Sequence, residues 1–471
     1  MEPSLETSCE RTRLFDSPFV TILHNTKVNG YCSNCFLPPS DGKKLMACAA
    51  CTFARYCSKE CQRLAWKVHK AECRRLKQVF PNLPMTEVMF LSRCIDKVLF
   101  LEENSDKYNW EKERKFTELV SHSEEIRKDE ERYAHFEKIY AKMAHFRKEE
   151  MIVKEKLFDI FCKVTINSHG IQTISGQDLG LSLCLGVSKY DHSCRPNCSM
   201  IFDGGRVYIR PLMSEANPWD TENCYISYTD VGRSRYRRQK ELKSKWYFDC
   251  RCDRCCDPAD DILTCIKCPN SKCDGALITH ETAGPTMIAC SKCKAVAEEE
   301  YVSRGQETMR NLADKYTVDS DPEELKKILE GAESILHPTN VYISRLKTAM
   351  FHLTGTLQNK IPEIQQSIFE TYRLCLPNAN REHGFELLQK CRSLIENGLR
   401  KDALPYAFDA MCIFEVVYGM GHPYYLQTLA LWTYLEKEPN KKDEELFALM
   451  EFKSDKPIDM SQIITLRESP V

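Results

Sequence analysis

Long hydrophobic runs are missing from this chain of 471 residues. A membrane-spanning helix needs roughly 18 or more consecutive apolar residues, and no stretch here comes near that. A secretory leader carries an apolar stretch of about 7–15 residues, and residues 1–30 hold none. An excess of one charge is missing too. The 66 Lys and Arg nearly balance the 68 Asp and Glu, leaving a formal net charge of −2. That balance gives no support to non-specific binding of DNA or anionic membranes, and direct nucleic-acid binding is not expected to be a primary role. Low-complexity tracts are absent. Glycine is scarce, with 18 in all and none before Gly30.

What remains reads as ordinary soluble protein, 42% hydrophobic and 28% charged. The length exceeds what one hydrophobic core holds and points to about two to four domains. The two basic stretches, 59–77 and 233–245, read as solvated helix faces.

Cysteine is abundant, at 26, and clustered. Cys32, Cys35, Cys48, Cys51, Cys57, Cys61, His69 and Cys73 follow C-x2-C-x12-C-x2-C-x5-C-x3-C-x7-H-x3-C. Zn²⁺ takes four tetrahedral ligands, and C-x2-C presents two thiolates to one ion. Eight ligands in this short span imply two closed structural zinc sites. Cysteine clusters in a chain without a secretory leader are more often metal-bound than oxidised. Cys57/Cys61 and His69/Cys73 have the spacing that puts two side chains on one helix face, which predicts a helix over 59–76.

Two further groups follow. Cys250, Cys252 and Cys255 form C-x-C-x2-C, one thiolate short of a tetrahedral site. Cys265, Cys268, Cys273, Cys290 and Cys293 form C-x2-C-x4-C-x16-C-x2-C. This reads as a zinc ribbon with one cysteine to spare. Cys265, Cys268, Cys290 and Cys293 are the expected ligands, and Cys273 competes. The lone Cys94, Cys162, Cys184, Cys375, Cys391 and Cys412 read as core residues.

Along the chain, 19–23 has an extended look. Tyr133, Phe136, Tyr140 and Met143 recur at helical spacing within a charged stretch, 77–163, read as several amphipathic helices. Residues 206–212 follow Asp203-Gly204-Gly205 and predict a strand leaving a tight turn. Beyond about 300 the pattern is helical again, with helices expected over 341–357, 365–376, 382–397, 403–418 and 424–437. His337-Pro338 and His422-Pro423 each open one. The spacing between them fits two repeats of a helical array, with a plain bundle as the alternative.

The residues then carry a resemblance. ARYCSKECQ (54–62) and AWKVHKAEC (65–73) look like a MYND zinc finger. YDHSCRPNC (190–198), YISYTD (225–230) and WYFDCRCDRC (246–255) resemble a SET domain with its post-SET cysteines. Together and in this order, they resemble the SET-and-MYND (SMYD) family of protein-lysine methyltransferases.

The resemblance implies an α+β, multi-domain fold. A partial SET segment (1–30) precedes the MYND finger (31–75) and a helical insert (76–163). The SET core (164–249), a post-SET and ribbon region (250–300) and a helical, TPR-like C-terminal domain (301–471) follow. Carried over, the two MYND sites interleave: Cys32, Cys35, Cys57 and Cys61 hold one ion, and Cys48, Cys51, His69 and Cys73 the other. Cys194 joins Cys250, Cys252 and Cys255. Tyr228 matches the catalytic tyrosine. Asp191 and His192 match a pair contacting the methionine end of S-adenosylmethionine, Phe248 an aromatic on its adenine, and His122 a further cofactor contact. The implied cofactors are S-adenosylmethionine and three to four Zn²⁺.

Protein substrates follow, either histone tails or other lysine-bearing proteins. Proline-containing peptides are possible ligands of the MYND finger, and nucleus and cytoplasm are the expected locations. The sequence departs from the family in three places. No Gly-x-Gly segment precedes the MYND finger, Asp191 stands where asparagine is usual, and Trp246 replaces a tyrosine that narrows the lysine channel. These departures keep a second reading open, an inactive adaptor that binds partners through the MYND finger and the helical C-terminal domain.

Overall fold

The computed structural model describes residues 12–15, 17–40, 43–104, 114–173, 178–284, 286–312, 321–354, 371, 374–375, 379–452 and 458–468. Ten short strands build the first part. They are β1 (Arg13–Phe15), β2 (Val20–Leu23), β3 (Met46–Ala47), β4 (Arg55–Tyr56), β5 (Ser168–Gln172), β6 (Asp178–Leu183), β7 (Asp191–His192), β8 (Cys198–Asp203), β9 (Arg206–Pro211) and β10 (Tyr225–Ile226). Two antiparallel three-stranded sheets have the orders β1-β9-β8 and β2-β6-β5, and β7 pairs parallel with β10. Each large sheet therefore joins an early strand to strands from beyond residue 160. The MYND segment and the insert lie between them in sequence.

The β2-β6-β5 sheet separates two cores by strand alternation. Val20 pairs with Leu183 and Ile22 with Leu181. Val20, Ile22 and Leu183 pack into a core shared with helix Thr86–Glu103 and the zinc-ligand segments. Leu23 and Ile171 face the other way, into a core holding Phe15, Val187 and Tyr190. The β8–β9 hairpin turns at Gly204, whose φ is +58°. A Cβ there would also lie 2.2 Å from the Cys35 carbonyl oxygen, so the zinc-ligand loop sits directly on this turn.

Helix Lys59–Val79 begins at Ser58, whose side chain accepts from the Cys61 N–H, as N-cap serines do. It turns His69, Glu72, Cys73 and Leu76 inward. Helix Glu130–Arg147 buries Phe136 and Met143, with Tyr133 and Tyr140 packed beside them.

Two small hairpins follow the later cysteines: β11 (Ile266–Lys267) with β12 (Ala276–Leu277), and β13 (Ile288–Ala289) with β14 (Val296–Ala297). Their core is shared with helices Glu299–Leu312, Pro322–Glu333 and Val341–Thr354. The last of these starts at Val341, where it was expected, just beyond His337-Pro338. The chain before it bridges Leu336 to Ile266. The helix expected over 365–376 falls mostly outside the described residues.

Helices Arg381–Glu396, Arg400–Tyr418 and Pro423–Lys437 pack in succession around Phe414 and Leu431. Here Pro423 does occupy the first turn. This block leans on the sheet, with Ile201 and Leu212 against its core and Arg210 Nε donating to the Val416 carbonyl at 3.2 Å. No described helix is long and apolar enough to cross a membrane.

Candidate metal centres and active-site cavity

Four groups of four ligand atoms converge among the described residues. They are Cys32/Cys35/Cys57/Cys61, Cys48/Cys51/His69/Cys73, Cys194/Cys250/Cys252/Cys255 and Cys268/Cys273/Cys290/Cys293, with ligand atoms within 4.8 Å of one another in each. Zn–S bonds of about 2.3 Å in tetrahedral array place two sulfurs about 3.8 Å apart. Sγ separations are 3.8 Å for Cys35–Cys57, 3.7 Å for Cys48–Cys73 and 3.6 Å for Cys194–Cys255. They are 3.5 Å for Cys268–Cys293 and 3.8 Å for Cys273–Cys290. Disulfides need about 2.05 Å, and the described cysteines are all free. Soft thiolates at tetrahedral spacing fit Zn²⁺.

The fourth group corrects an expectation. Cys265 is not part of it. Its thiol turns back to the Ile262 carbonyl at 2.8 Å, and Cys273 takes the place. The reason lies in the turn after Cys273. The Gly275 N–H donates to Cys273 Sγ at 3.3 Å. A Cβ on Gly275 would come within 2.6 Å of Cys290 Sγ. Asp274-Gly275 directly after Cys273 was the available signal: a cysteine followed by a turn that leaves backbone N–H groups aimed at the sulfur.

Charges around two of the groups are matched. His69 Nδ1 lies 3.6 Å from Glu72, as zinc-bound imidazoles commonly face a carboxylate. Glu72 in turn pairs with Arg93 at 2.7 Å, and Arg93 donates to the Thr21 carbonyl on β2 at 2.6 Å. Burial pushes the Glu72 carboxyl up, but Arg93 and His69 outweigh it and hold it at about 2. Four thiolates on Zn²⁺ leave two negative charges. Buried Arg238 and Arg254 stand beside the Cys194 group, bridged by Asp260 at 2.7 and 2.8 Å. Arg254 also donates to the Val231 and Cys194 carbonyls, at 2.6 and 3.3 Å.

Next to that group opens a cavity of about 830 Å³. Tyr228, Asp191, Phe248, His122 and Trp246 line it, as do Arg345, Arg381 and His422 from the C-terminal part of the chain. Tyr228 follows β10. Its N–H donates to His192 Nδ1 at 2.9 Å, and its hydroxyl donates to the Tyr190 carbonyl. Burial, with the Asp191 charge adding, pushes the phenol well above its ordinary value, so it is neutral at physiological pH. The Trp246 ring lies 5.2 Å from that of Tyr228, and its indole N–H donates to the Ile166 carbonyl at 3.0 Å.

His192 is placed differently from Asp191. Its second ring nitrogen meets Cys194 Sγ at 3.2 Å, and it is absent from the cavity wall. Both its nitrogens are spent on tying Tyr228 to the metal group. Asp191, one residue earlier, is exposed and reaches the cavity. His122 sits in the left-handed region, φ 49°, at the start of helix Ser123–Lys128, its ring 5.5 Å from Tyr247.

Comparison with known proteins agrees with this arrangement. Residues 32–73 match the MYND finger family. SET domain-containing protein 14 of Caenorhabditis elegans is 31% identical over 70% of this chain and 75% of its own. Histone-lysine N-methyltransferase SMYD3 of Mus musculus is 27% identical over 83% of this chain and 84% of its own. Histone-lysine N-methyltransferase ASHR1 of Arabidopsis thaliana is also 27% identical, over 87% and 88%. With a MYND finger, a third cysteine group next to the Tyr228 cavity, and relatives matched along most of its length, the chain belongs to the SET-and-MYND (SMYD) family of lysine methyltransferases.

Proposed function

We propose that the protein transfers methyl groups from S-adenosylmethionine to lysines of histones or other proteins, with segments 1–30 and 164–249 as its SET core. One observation carries the reading: Tyr228, Asp191, Phe248 and His122 share one cavity with an aromatic wall completed by Trp246. The donor set fits the cofactor. Asp191 offers a carboxylate to its ammonium, and Phe248 offers a ring face to its adenine. When bound, S-adenosylmethionine supplies an electrophilic methyl group on a sulfonium.

The remaining chemistry is placement. A lysine ammonium must lose its proton before its nitrogen can attack, and an apolar, aromatic wall disfavours the charged form. Tyr228 and Trp246 supply that wall. Because the Tyr228 hydroxyl donates to the Tyr190 carbonyl, its oxygen remains free to accept from the incoming amine N–H. His192 and the Cys194 group fix the backbone of Tyr228, and such alignment supplies much of the acceleration in a two-substrate transfer. Nucleus and cytoplasm are the compartments in which these substrates would be met.

Calorimetric titration with S-adenosylmethionine tests the cofactor, and no heat of binding would favour the adaptor reading. Tyr228→Phe tests the site. It keeps volume and zinc content, and methyl transfer to core histones is expected to fall by about a hundredfold or more, the scale of losing one transition-state hydrogen bond in a closed site. A variant as fast as the parent makes Tyr228 a packing residue.

A further inference from the structure

We propose that Asp191 makes the cavity prefer the methyl donor to its spent form, its carboxylate attracting the sulfonium charge that exists before transfer and is gone after it. The inference rests on the lysine-methyltransferase reading and goes beyond it. Holding the donor's ammonium favours neither form, because both carry that ammonium.

Asp191 belongs to β7 and pairs with Tyr225 of β10. Tyr228 then bonds to the residues on either side of it. The Tyr228 hydroxyl donates to the Tyr190 carbonyl, and its N–H donates to His192 Nδ1 at 2.9 Å. Asp191 is thereby held beside Tyr228, the residue at which the reading places the transfer. Neighbouring side chains of a strand point to opposite faces. His192 is buried against Cys194, and Asp191 is exposed and opens on the cavity. Its charge is felt at the Tyr228 phenol, where it adds to burial in pushing the hydroxyl up.

The charges of the wall single Asp191 out. Its four carboxylates are those of Asp191, Asp230, Glu241 and Glu382. Arg345 stands 2.7 Å from Asp230, Arg233 3.1 Å from Glu241 and Arg381 2.7 Å from Glu382, and these are the arginines of the wall. Asp191 has no ion pair among the described residues. Arg114 acts on the phenol in the opposite sense, but its guanidinium is turned to the Ser188 and Glu118 carbonyls, at 2.6 and 3.0 Å. The wall therefore carries one unmatched negative charge, and a cleft of one sign draws ions of the other.

S-Adenosylmethionine brings an ammonium, a carboxylate and a sulfonium, one positive charge in sum. On transfer the carbon–sulfur bond breaks with its electron pair left on sulfur. A carbon–nitrogen bond forms, and the positive charge passes to the lysine nitrogen. S-Adenosylhomocysteine keeps the ammonium and the carboxylate and has no net charge. An unmatched carboxylate distinguishes the two, whereas asparagine, of nearly the same shape, has no charge with which to do so.

The full-length parent, Asp191→Asn and Asp191→Glu are titrated calorimetrically with S-adenosylmethionine and, separately, with S-adenosylhomocysteine. The readout is the ratio of the two dissociation constants. The parent should bind the donor more tightly. Asp191→Asn should lower that preference by on the order of tenfold, the effect of one nearby unit charge in a partly wet site, at unchanged zinc content. Asp191→Glu restores the charge and should keep the preference. Added salt should narrow it in the parent, because salt screens exposed charges. An Asn variant that weakens both ligands alike confines Asp191 to the ammonium and overturns the inference, while the methyltransferase reading stands. A Glu variant that behaves as Asn, or a preference in the parent that salt does not change, overturns it too. A parent that binds neither ligand overturns the methyltransferase reading itself, and this inference with it.

Discussion

Two of the four metal groups differ in almost every respect except their ligand geometry. In the Cys48/Cys51/His69/Cys73 group all four ligands are buried. His69 backs onto Glu72, Glu72 onto Arg93, and Arg93 onto the backbone of β2. In the Cys268/Cys273/Cys290/Cys293 group, Cys293 is exposed and Cys273 half-buried. Its support is local, coming from the Gly275 amide and an exposed Lys292–Asp274 pair. The first group is wired into a core that also holds the long helices of the insert, whereas the second closes two short hairpins. The same coordination chemistry therefore fastens the N-terminal core in one place and the hairpin end of a helical core in another.

The largest expected effect breaks the first group. Structural zinc in small modules is worth about 10–16 kcal/mol, as much as the whole stability of a typical domain. Cys73→Ser should therefore lose zinc and the cooperative melting of the N-terminal core together. A cooperative melt at the parent's temperature would show that this ion is dispensable.

Next comes Glu72→Gln, which keeps the ligand set but leaves Arg93 without its counter-charge. Breaking a buried pair from one side costs on the order of 3 kcal/mol. A urea titration should show a loss of that size with zinc content unchanged. A change within error would mean the chain from His69 to β2 is ornamental.

The smallest effect separates two cysteines of the ribbon. Cys273→Ser should reduce zinc from four to three per chain while the first core melts as before. Cys265→Ser should keep all four and cost about 1 kcal/mol, the scale of one buried hydrogen bond. The reverse outcome would restore Cys265 as a ligand.

How much of this was legible follows from the range of the interactions. The MYND ligands announce themselves because a C-x2-C knuckle and one helical turn are local geometries, set within a few residues. Cys194 stood apart from Cys250, Cys252 and Cys255 in sequence and was found through resemblance; spacing said only that one thiolate was missing. Cys273 stood only as a competing ligand because paired C-x2-C motifs hid the Gly275 turn. Trp246 was out of reach as a neighbour of Ile166: only the tertiary hydrogen bond from its indole to the Ile166 carbonyl joins the two segments at the cavity. His192 has contacts that spacing does not show, its two ring nitrogens meeting the Tyr228 N–H and Cys194 Sγ.

One buried carboxylate has a bearing on how the molecule is made. Glu281 accepts from the Ser234 hydroxyl at 2.5 Å and from the Tyr342 hydroxyl at 2.6 Å, so a single oxygen gathers three segments lying far apart along the chain. Closing such large loops costs entropy before any contact rewards it, and topologies dominated by distant contacts fold slowly. During synthesis, a nascent chain that has emerged only past Tyr228 carries the tyrosine but neither Tyr342 nor the cavity wall at Arg381 and His422. The zinc knuckles can close early, from neighbouring residues. The cavity beside Tyr228 is complete only once the segments carrying Arg345, Arg381 and His422 have left the ribosome.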